Sequence, residues 1–374
     1  MENQDIHIGI VGAGRIGTAI YSLLVGEGSG YKISIADITH STFLSSSIAE
    51  RDYVKLSGID NGIAQFSAFV HDKTLIINAL PFHLNIDLYY ACYEHRVPYF
   101  DLSEDDALDE AIHNRNQQNP NTIPFTMPHC GLAPGISTVI ANNLSKNFSD
   151  LHEIKIRVGA LSQFSTNKLK YHSSWSGDGL VNEYMGKCQV IRNGSYEEVD
   201  ALSGYEILNI DGTDYEAFHT SGGIGSFAST LSDNFHAGVN ADYKTLRRVG
   251  HHQYVDFLFN DLKIPQDLLT DIFKKYIPTT TKDEVIIFVS SSGYNASNIN
   301  YTTNIYYKIF KPELIQGRSY TAIEYTTACG VLSMVELFLD GKLPKEGYVT
   351  QESVDWKDIL STKFGKFYKE RCVS

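Results

Sequence analysis

An apolar run, Ile8-Gly-Ile-Val11, passes directly into Gly12-Ala13-Gly14-Arg15-Ile16-Gly17, and a segment with helical periodicity follows to Val25. Three glycines at this spacing, between a strand and a helix, leave the chain few choices of fold. Gly12 permits a tight turn, Gly14 lets backbone N–H groups approach a pyrophosphate, and Gly17 lets the helix lie close to the strand. The run Ile33-Ser-Ile-Ala-Asp37 ends on a carboxylate 20 residues past Gly17 (37 − 17). At that place a carboxylate accepts hydrogen bonds from the adenosine ribose and repels a 2′-phosphate. Ile38, Thr39 and His40 follow, with no arginine to hold a phosphate, so NAD is expected over NADP. Arg15 suits either a place along the pyrophosphate or a solvated helix face.

Apolar runs at Ile6–Val11, Lys32–Ala36, Ala64–Phe66, Thr74–Ala79, Pro98–Asp101 and Ile123–Met127 read as strands. Arg15–Val25, Leu84–His95 and Asp105–Gln118 read as helices between them. Such alternation predicts a parallel sheet covered on both faces, a doubly wound Rossmann domain over residues 1–130. Asn78-Ala79-Leu80-Pro81-Phe82 follows the fourth of these runs, where backbone commonly lines the nicotinamide half of the crevice. After Pro128 the texture changes, and Cys130-Gly131-Leu-Ala-Pro-Gly135 reads as a turn. Ile136–Leu144 reads as a helix. His152–Ala160, Gln189–Val199, Tyr205–Ile210, Asp283–Ser290 and Thr302–Phe310 alternate apolar and polar residues, as half-buried strands do. Residues 131–324 are therefore expected to form a second, α+β substrate domain with a mixed or antiparallel sheet and a cleft beside the first. Glu324–Leu339 reads as a helix stopped by Gly341 and Pro344, and segment 325–374 suits packing back on the first domain.

Composition removes several classes of function. With 31 basic against 44 acidic residues the net charge is −13, which repels phosphate backbones, so no nucleic-acid partner is expected. The best apolar stretch, Ala328–Leu339, is shorter than a membrane span, and no basic-flanked greasy segment precedes Ile6, so neither a membrane nor a secretion role is expected. Five scattered cysteines without a C-x-x-C pair fit a reducing, cytoplasmic setting and no zinc site.

Hydride transfer belongs to the cofactor, so the second half must bind the substrate and help move a proton. Its polar clusters are the places to look. In Tyr171-His-Ser-Ser-Trp175-Ser176-Gly-Asp-Gly-Leu-Val-Asn182-Glu183-Tyr184, Ser176 is a plausible helix cap, and an aromatic face beside Glu183 suits an ammonium group. A structural Trp175 fits the same pattern. His219 lies in a second cluster, and Lys244-Thr-Leu-Arg247-Arg248-Val-Gly-His251-His252 is the one dense basic stretch. Arginine suits a planar carboxylate, and the paired histidines lack partners at metal-ligand spacing, so no metal is expected.

These segments resemble the saccharopine dehydrogenase family. The resemblance spans nearly the whole chain and is carried by the GAGRIG turn, Asn78–Phe82, Tyr99-Phe-Asp101-Leu-Ser103, Cys130–Gly135, Trp175–Tyr184, Glu216-Ala-Phe-His219-Thr-Ser221 and Lys244–Arg247 with Gly250-His251. Within the family the chain is most similar to lysine 6-dehydrogenases; saccharopine and carboxynorspermidine dehydrogenases are the alternatives. One departure stands out: the segment from Glu216 reads His219-Thr-Ser-Gly-Gly, where the family often has a further Tyr, Asp or Arg.

The resemblance implies an NAD-dependent enzyme, homodimeric or larger, that oxidises the CH–NH group of an amino acid. Residues 131–324 would then serve in dimerisation as well as substrate binding. Gly12, Gly14, Arg15, Ile16, Gly17, Asp37, Ala79, Leu80, Pro81, Cys130 and Gly131 would hold the cofactor. Trp175, Asn182, Glu183, His219, Lys244, Arg247 and His251 would hold the substrate. A lysine ε-amine is about 99.9% protonated at neutral pH, so a base or a desolvating pocket must remove a proton. Asp101, at a strand end, and His129, beside the Cys130 turn, are the candidates. Cys130 is either a thiol near the nicotinamide or a small residue packed in a turn. Lys244, Arg247, Arg248 and Arg318 offer enough cations for lysine or for saccharopine. The alternative of another class is an NAD-binding protein without catalysis.

Overall fold

Two of the short apolar runs, His7–Val11 (β1) and Leu75–Asn78 (β4), are buried along their whole length, as strands covered on both faces must be. They are the centre of a six-stranded sheet in the computed structural model, which describes residues 6–28, 30–38, 48–56, 62–102, 105–118, 123–175, 177–234, 238–295 and 300–370. With β2 (Lys32–Asp37), β3 (Tyr53–Lys55), β5 (Tyr99–Asp101) and β6 (Thr126–Met127), the order is β3-β2-β1-β4-β5-β6, and all neighbours are parallel. Helices α1 (Arg15–Gly26), α2 (Gly62–Val70), α3 (Asn85–His95) and α4 (Asp106–Gln118) alternate with the strands. This is the doubly wound architecture expected from the sequence.

One strand was misplaced by the apolar pattern. Ala64–Phe66 lies inside α2, whose buried Phe66, Phe69 and Val70 recur at i, i+3 and i+4. The third strand is instead Tyr53–Lys55 at the sheet edge, short and mostly exposed, so no apolar run marks it.

The chain divides into two compact units. The first runs to Ile136 and takes in Leu314–Tyr320 and Glu324–Lys369; the second holds Ser137–Glu313 and Thr321–Ile323. The second unit follows helix α5 (Ile136–Ser145) with the long central strand β7 (Asp150–Ser162). Around it lie α6 (Gly177–Glu183), β8 (Lys187–Arg192), β9 (Ser195–Asp200), β10 (Glu206–Ile210), β11 (Thr213–Phe218), α7 (Phe227–Asn234), β12 (Asn240–Arg248), α8 (His252–Asp256), α9 (Gln266–Tyr276), β13 (Asp283–Tyr294) and β14 (Thr302–Phe310). The order is β10-β11-β12-β7-β13-β14, with the β8–β9 hairpin attached to β12; only β12 and β7 pair in parallel, so the sheet is mixed.

Two details differ from the sequence reading. The run Gln189–Val199 is a hairpin, turned at Asn193-Gly194, whose φ values of 50° and 81° are those of a two-residue loop between twisted strands. The stretch from Lys244, read only as a dense basic run, is the end of β12, buried along most of its length. Its alternation separates two cores. Thr245 and Arg247 share a face with Phe218, where Leu180, Tyr184, Val255 and Phe273 cover the sheet; Lys244 and Leu246 share the other with Leu161, Ala217 and Ile286.

β15 (Glu313–Ile315) and β16 (Arg318–Tyr320) form a small ribbon before α10 (Ala322–Leu339). The helix begins two residues before the expected Glu324. The buried Asp283 carboxylate accepts the Ala322 and Ile323 N–H groups at 2.7 and 2.9 Å, satisfying donors a helix start leaves open. By length and composition α10 could cross a membrane, contrary to the reading of Ala328–Leu339 as too short, yet 67% of it is buried inside the protein. Phe338 packs its ring on Phe125 at 4.6 Å and Phe100 at 5.8 Å, so this is a core helix of the first unit.

Candidate active site

Each fingerprint glycine does something a side chain would prevent. Gly12 has φ 101°, and a Cβ there would sit 2.5 Å from the Ala79 carbonyl oxygen. A Cβ on Gly17 would lie 1.8 Å from the Gly12 carbonyl oxygen, so the helix can approach the strand only without one. Gly14 caps α1 with no side-chain hydrogen bond, and the space where its Cβ would stand is open. Open helix N–H groups beside open space are what a phosphate needs. Asp37 is fastened to this turn: its Oδ2 accepts the Ala13 N–H at 2.7 Å, and its carbonyl accepts the Tyr53 hydroxyl at 3.1 Å. Thr39 and His40 lie outside the described residues. Arg15 is half-buried, with Nε 3.9 Å from Glu324 of α10, and Ile16 is half-buried beside it. Ala79 donates to the Val11 carbonyl, which ties the end of β4 to β1; Leu80 donates to the Asn78 side chain, and Pro81 is exposed.

Beyond β4 lies a closed polar network. Asn78 Nδ2 donates to Asn85 at 2.8 Å and to Asp101 Oδ2 at 2.6 Å, and the Tyr99 hydroxyl donates to the same oxygen at 2.8 Å. All four residues are buried, and burial beside Asp101 pushes the Tyr99 phenol well up. Asp101 therefore sits inside the ends of β4 and β5 and also orders the next turn, since its carbonyl accepts the Cys130 N–H. His129 is buried at φ 60°, with Nε2 3.2 Å from Asp109. Both residues read as proton-transfer candidates are thus buried in the first unit, each held by neighbours. Cys130 is buried, its Sγ donates to the Met127 carbonyl at 2.9 Å, and burial pushes the thiol far up. Of the two readings of this residue, the packed turn fits. Gly131 is also buried in place: Gly330 of α10 approaches so closely that a Cβ there would meet the Gly131 oxygen at 2.5 Å.

In the second unit one cluster gathers on the helix-covered face of the sheet. Arg247, 2% exposed, donates from Nη2 to Glu183 at 3.2 Å, from Nε to the Tyr184 hydroxyl at 2.8 Å, and from Nη1 to the Leu246 carbonyl at 3.0 Å. Its guanidinium lies over the rings of Tyr171 and Tyr184 at 5.5 and 5.6 Å. His251 completes the chain. Its Nδ1 is 2.7 Å from the Leu169 carbonyl, which can only accept, so Nδ1 carries the proton and Nε2 accepts from the Tyr184 hydroxyl at 2.9 Å. Burial next to Arg247 lowers the imidazole to about 3, so it is neutral. Glu183 is 26% exposed at the side chain; burial pushes its carboxyl up to about 7, with Arg247 pulling the other way. Trp175 donates from Nε1 to the Tyr171 hydroxyl at 3.0 Å, its ring against Gly179, while Asn182 is exposed and Ser176 lies outside the described residues.

The other predicted substrate residues are elsewhere. Lys244 and His219 belong to a charge network on the opposite face, around Asp242. Arg157, fully buried, reaches Asp242 at 2.8 Å and Glu206 at 2.5 Å; His219 lies 3.2 Å from Asp242, and Lys244 lies 3.4 Å from Glu206. The sequence grouped Lys244 with Arg247, but an odd separation along a strand sends two side chains to opposite faces. Tyr171 and Tyr184 were passed over as contacts, although both stand in the quoted motif. Arg157 and Asp242 carried no local signal.

Residues 8–123 match the saccharopine dehydrogenase NADP binding domain, and residues 131–370 match the saccharopine dehydrogenase C-terminal domain. The chain belongs to the saccharopine dehydrogenase family. It is an amino-acid dehydrogenase that uses a nicotinamide dinucleotide. Saccharopine dehydrogenase (L-Glu forming) from Saccharomyces cerevisiae has a similar fold, with a TM-score of 0.70 at 14% identity over 93% of this chain and 94% of that one. A second similar structure is the C. glutamicum DAP dehydrogenase in complex with DAP, with a TM-score of 0.47 at 10% identity over 97% and 98% of the two chains. The saccharopine dehydrogenase family match therefore covers both units: the glycine turn in one, and the Glu183–Arg247 cluster in the other.

Proposed function

We propose that the chain oxidises the ε-amine of L-lysine with NAD, releasing ammonia and the aldehyde, which cyclises. The observation that carries this reading is how the four cations singled out in the sequence are distributed. Arg248 turns to the opposite face and pairs with Glu284, and Lys244 lies in the Asp242 network. Arg318 lies in the first unit, bonded to Ser22 and set over Tyr320. Arg247 alone of the four stays beside Glu183. One guanidinium beside one carboxylate, among Tyr171, Tyr184 and Trp175, leaves few cations for substrate carboxylates, which suits L-lysine, with one carboxylate and two ammonium groups. Saccharopine carries three carboxylates. The family match favours that second reading, and the cation count weighs against it.

Bound at the glycine turn, the nicotinamide ring supplies the hydride acceptor. Gly12, Gly14 and Gly17 shape the seat of the pyrophosphate, and the N–H groups opening α1 meet its charge. Asp37 takes the ribose hydroxyls, which favours NAD. Ala79, Leu80 and Pro81 form the lip of β4. Asn78 and Asp101 keep the ends of β4 and β5 in register, and His129 with Cys130 sets the turn that follows. In the second unit the buried Arg247 holds Glu183, Glu183 attracts ammonium, and the aromatic rings exclude water, which favours the uncharged amine.

Steady-state rates with L-lysine, saccharopine and carboxynorspermidine, each with NAD and NADP, test the reading. The highest kcat/KM is expected for L-lysine with NAD. A higher value for saccharopine, or turnover with NADP alone, rejects the corresponding part.

A further inference from the structure

We infer that Glu183 is the group that takes the proton from the substrate ammonium, and that Arg247, Tyr184 and His251 are a positioning chain that aims it. The inference rests on the reading of the substrate as an amine. It begins with the direction of four hydrogen bonds. The Leu169 carbonyl fixes the proton on His251 Nδ1; Nε2 must then accept the Tyr184 O–H; the Tyr184 oxygen accepts Arg247 Nε–H; and Arg247 Nη2 donates to Glu183 Oε2. Every link has one sense, so the guanidinium cannot turn without breaking the chain. Its other nitrogen, Nη1, is fixed by Thr245 and by the Leu246 carbonyl.

The chain ends on a carboxylate held more openly than the two buried ones nearby in the sheet, Asp242 and Glu216. Asp242 is 6% exposed and engaged with Arg157 and His219, and Glu216 is 1% exposed and accepts the Gly250 and His252 N–H groups. Glu183 has one oxygen anchored to Arg247, and its side chain is still 26% exposed. An anchored carboxylate with an accessible edge has the geometry a base requires. Burial beside the aromatic rings raises its basicity without neutralising it at alkaline pH. His251 is wholly buried, so it acts through Tyr184 and cannot itself touch substrate.

The step balances. The ammonium R–CH2–NH3+ gives one proton to the Glu183 carboxylate, leaving R–CH2–NH2 and a carboxylic acid. The amine carbon then loses hydride to NAD+, leaving the iminium R–CH=NH2+. Water converts the iminium to R–CHO and NH4+, and Glu183 returns its proton to solvent.

Glu183→Gln tests this, because the amide keeps an oxygen for Arg247 and cannot accept the proton. In the wild type, kcat/KM for the amine is expected to rise through a limb near pH 7, the ionisation of the free enzyme. In Glu183→Gln, kcat is expected to fall about a hundredfold or more, the usual weight of a general base. KM is expected to rise as well, since the ammonium contact weakens, while NAD affinity measured by fluorescence should be unchanged and the limb should vanish. Tyr184→Phe keeps the ring and removes the bridging oxygen; Arg247 is then held less firmly, and the limb is expected to move up. A Glu183→Gln enzyme with kcat within threefold and the limb retained overturns the inference. A rise in KM alone also overturns it, and leaves Glu183 as a cation site. Turnover of saccharopine in place of lysine rejects the lysine reading only, since the same comparison is then made with saccharopine. A wild type that turns over no amine rejects both.

Discussion

Asp37 shows how much one side chain can announce. Its distance from Gly17 was readable because the backbone geometry of the turn leaves little freedom, and the structure bonds its carboxylate to Ala13 at 2.7 Å. On the proposed reading, Asp37→Ala removes a ribose acceptor and the charge that repels a 2′-phosphate. NAD is expected to bind roughly tenfold more weakly, a change of about 1.4 kcal/mol, while NADP gains or holds. Dissociation constants for both cofactors by fluorescence check this, and equal loss for both would move the ribose contact elsewhere. Asp101 and His129 were harder to judge from sequence. A polar residue at a strand end can face a ligand or be absorbed by neighbours. Only the fold brings Asn78 and Tyr99 onto Asp101, and Asp109 onto His129.

At the level of elements, the difficulty was recognising a strand behind its charges. Lys244–Arg248 looks like a basic patch until its neighbours pair with it; as part of β12 it sends Lys244 and Arg247 to different cores. Lys244→Met is therefore expected to leave KM for the amino acid within about twofold while lowering Tm, because Asp242 and Glu206 lose a partner. Arg247→Lys is expected to raise KM at least tenfold, since an ammonium cannot keep both the Tyr184 and the Glu183 contacts. Equal effects on KM would contradict the two-face arrangement. The Asn193-Gly194 hairpin was legible in principle from its dipeptide, whereas the edge strand Tyr53–Lys55 has almost no buried surface to announce it. The early start of α10 depends on Asp283, 39 residues before Ala322, a contact no local pattern carries. Asp283→Ala is expected to cost about 2 kcal/mol by chemical denaturation, as lost caps do at their upper range. A loss below about 0.5 kcal/mol would show that the cap is dispensable.

For the whole molecule, the alternation of strand and helix made the first unit readable, and the change of texture after Pro128 marked where a different architecture begins. Its pH behaviour was not readable, because it depends on which histidines are buried. Burial lowers His7 to about 4 and His251 to about 3. A base with a lowered folded pKa contributes stability above its unfolded value near 6.5 and loses it as pH falls toward the folded value. The raised carboxyls, Glu183 among them, act in the opposite sense, so the total is not diagnostic but a difference is. The Tm gap between wild type and His251→Asn is expected to be widest above about pH 7 and to narrow steadily below 6.5. A gap that stays constant to pH 4 would show that His251 is not held neutral in the fold. The central claim concerns where the hydride comes from. L-lysine deuterated at both hydrogens of its ε-carbon, turned over with NAD and followed by mass spectrometry, tests it most directly. The account predicts one deuterium in each reduced nicotinamide and one retained in the aldehyde; unlabelled reduced cofactor would contradict it.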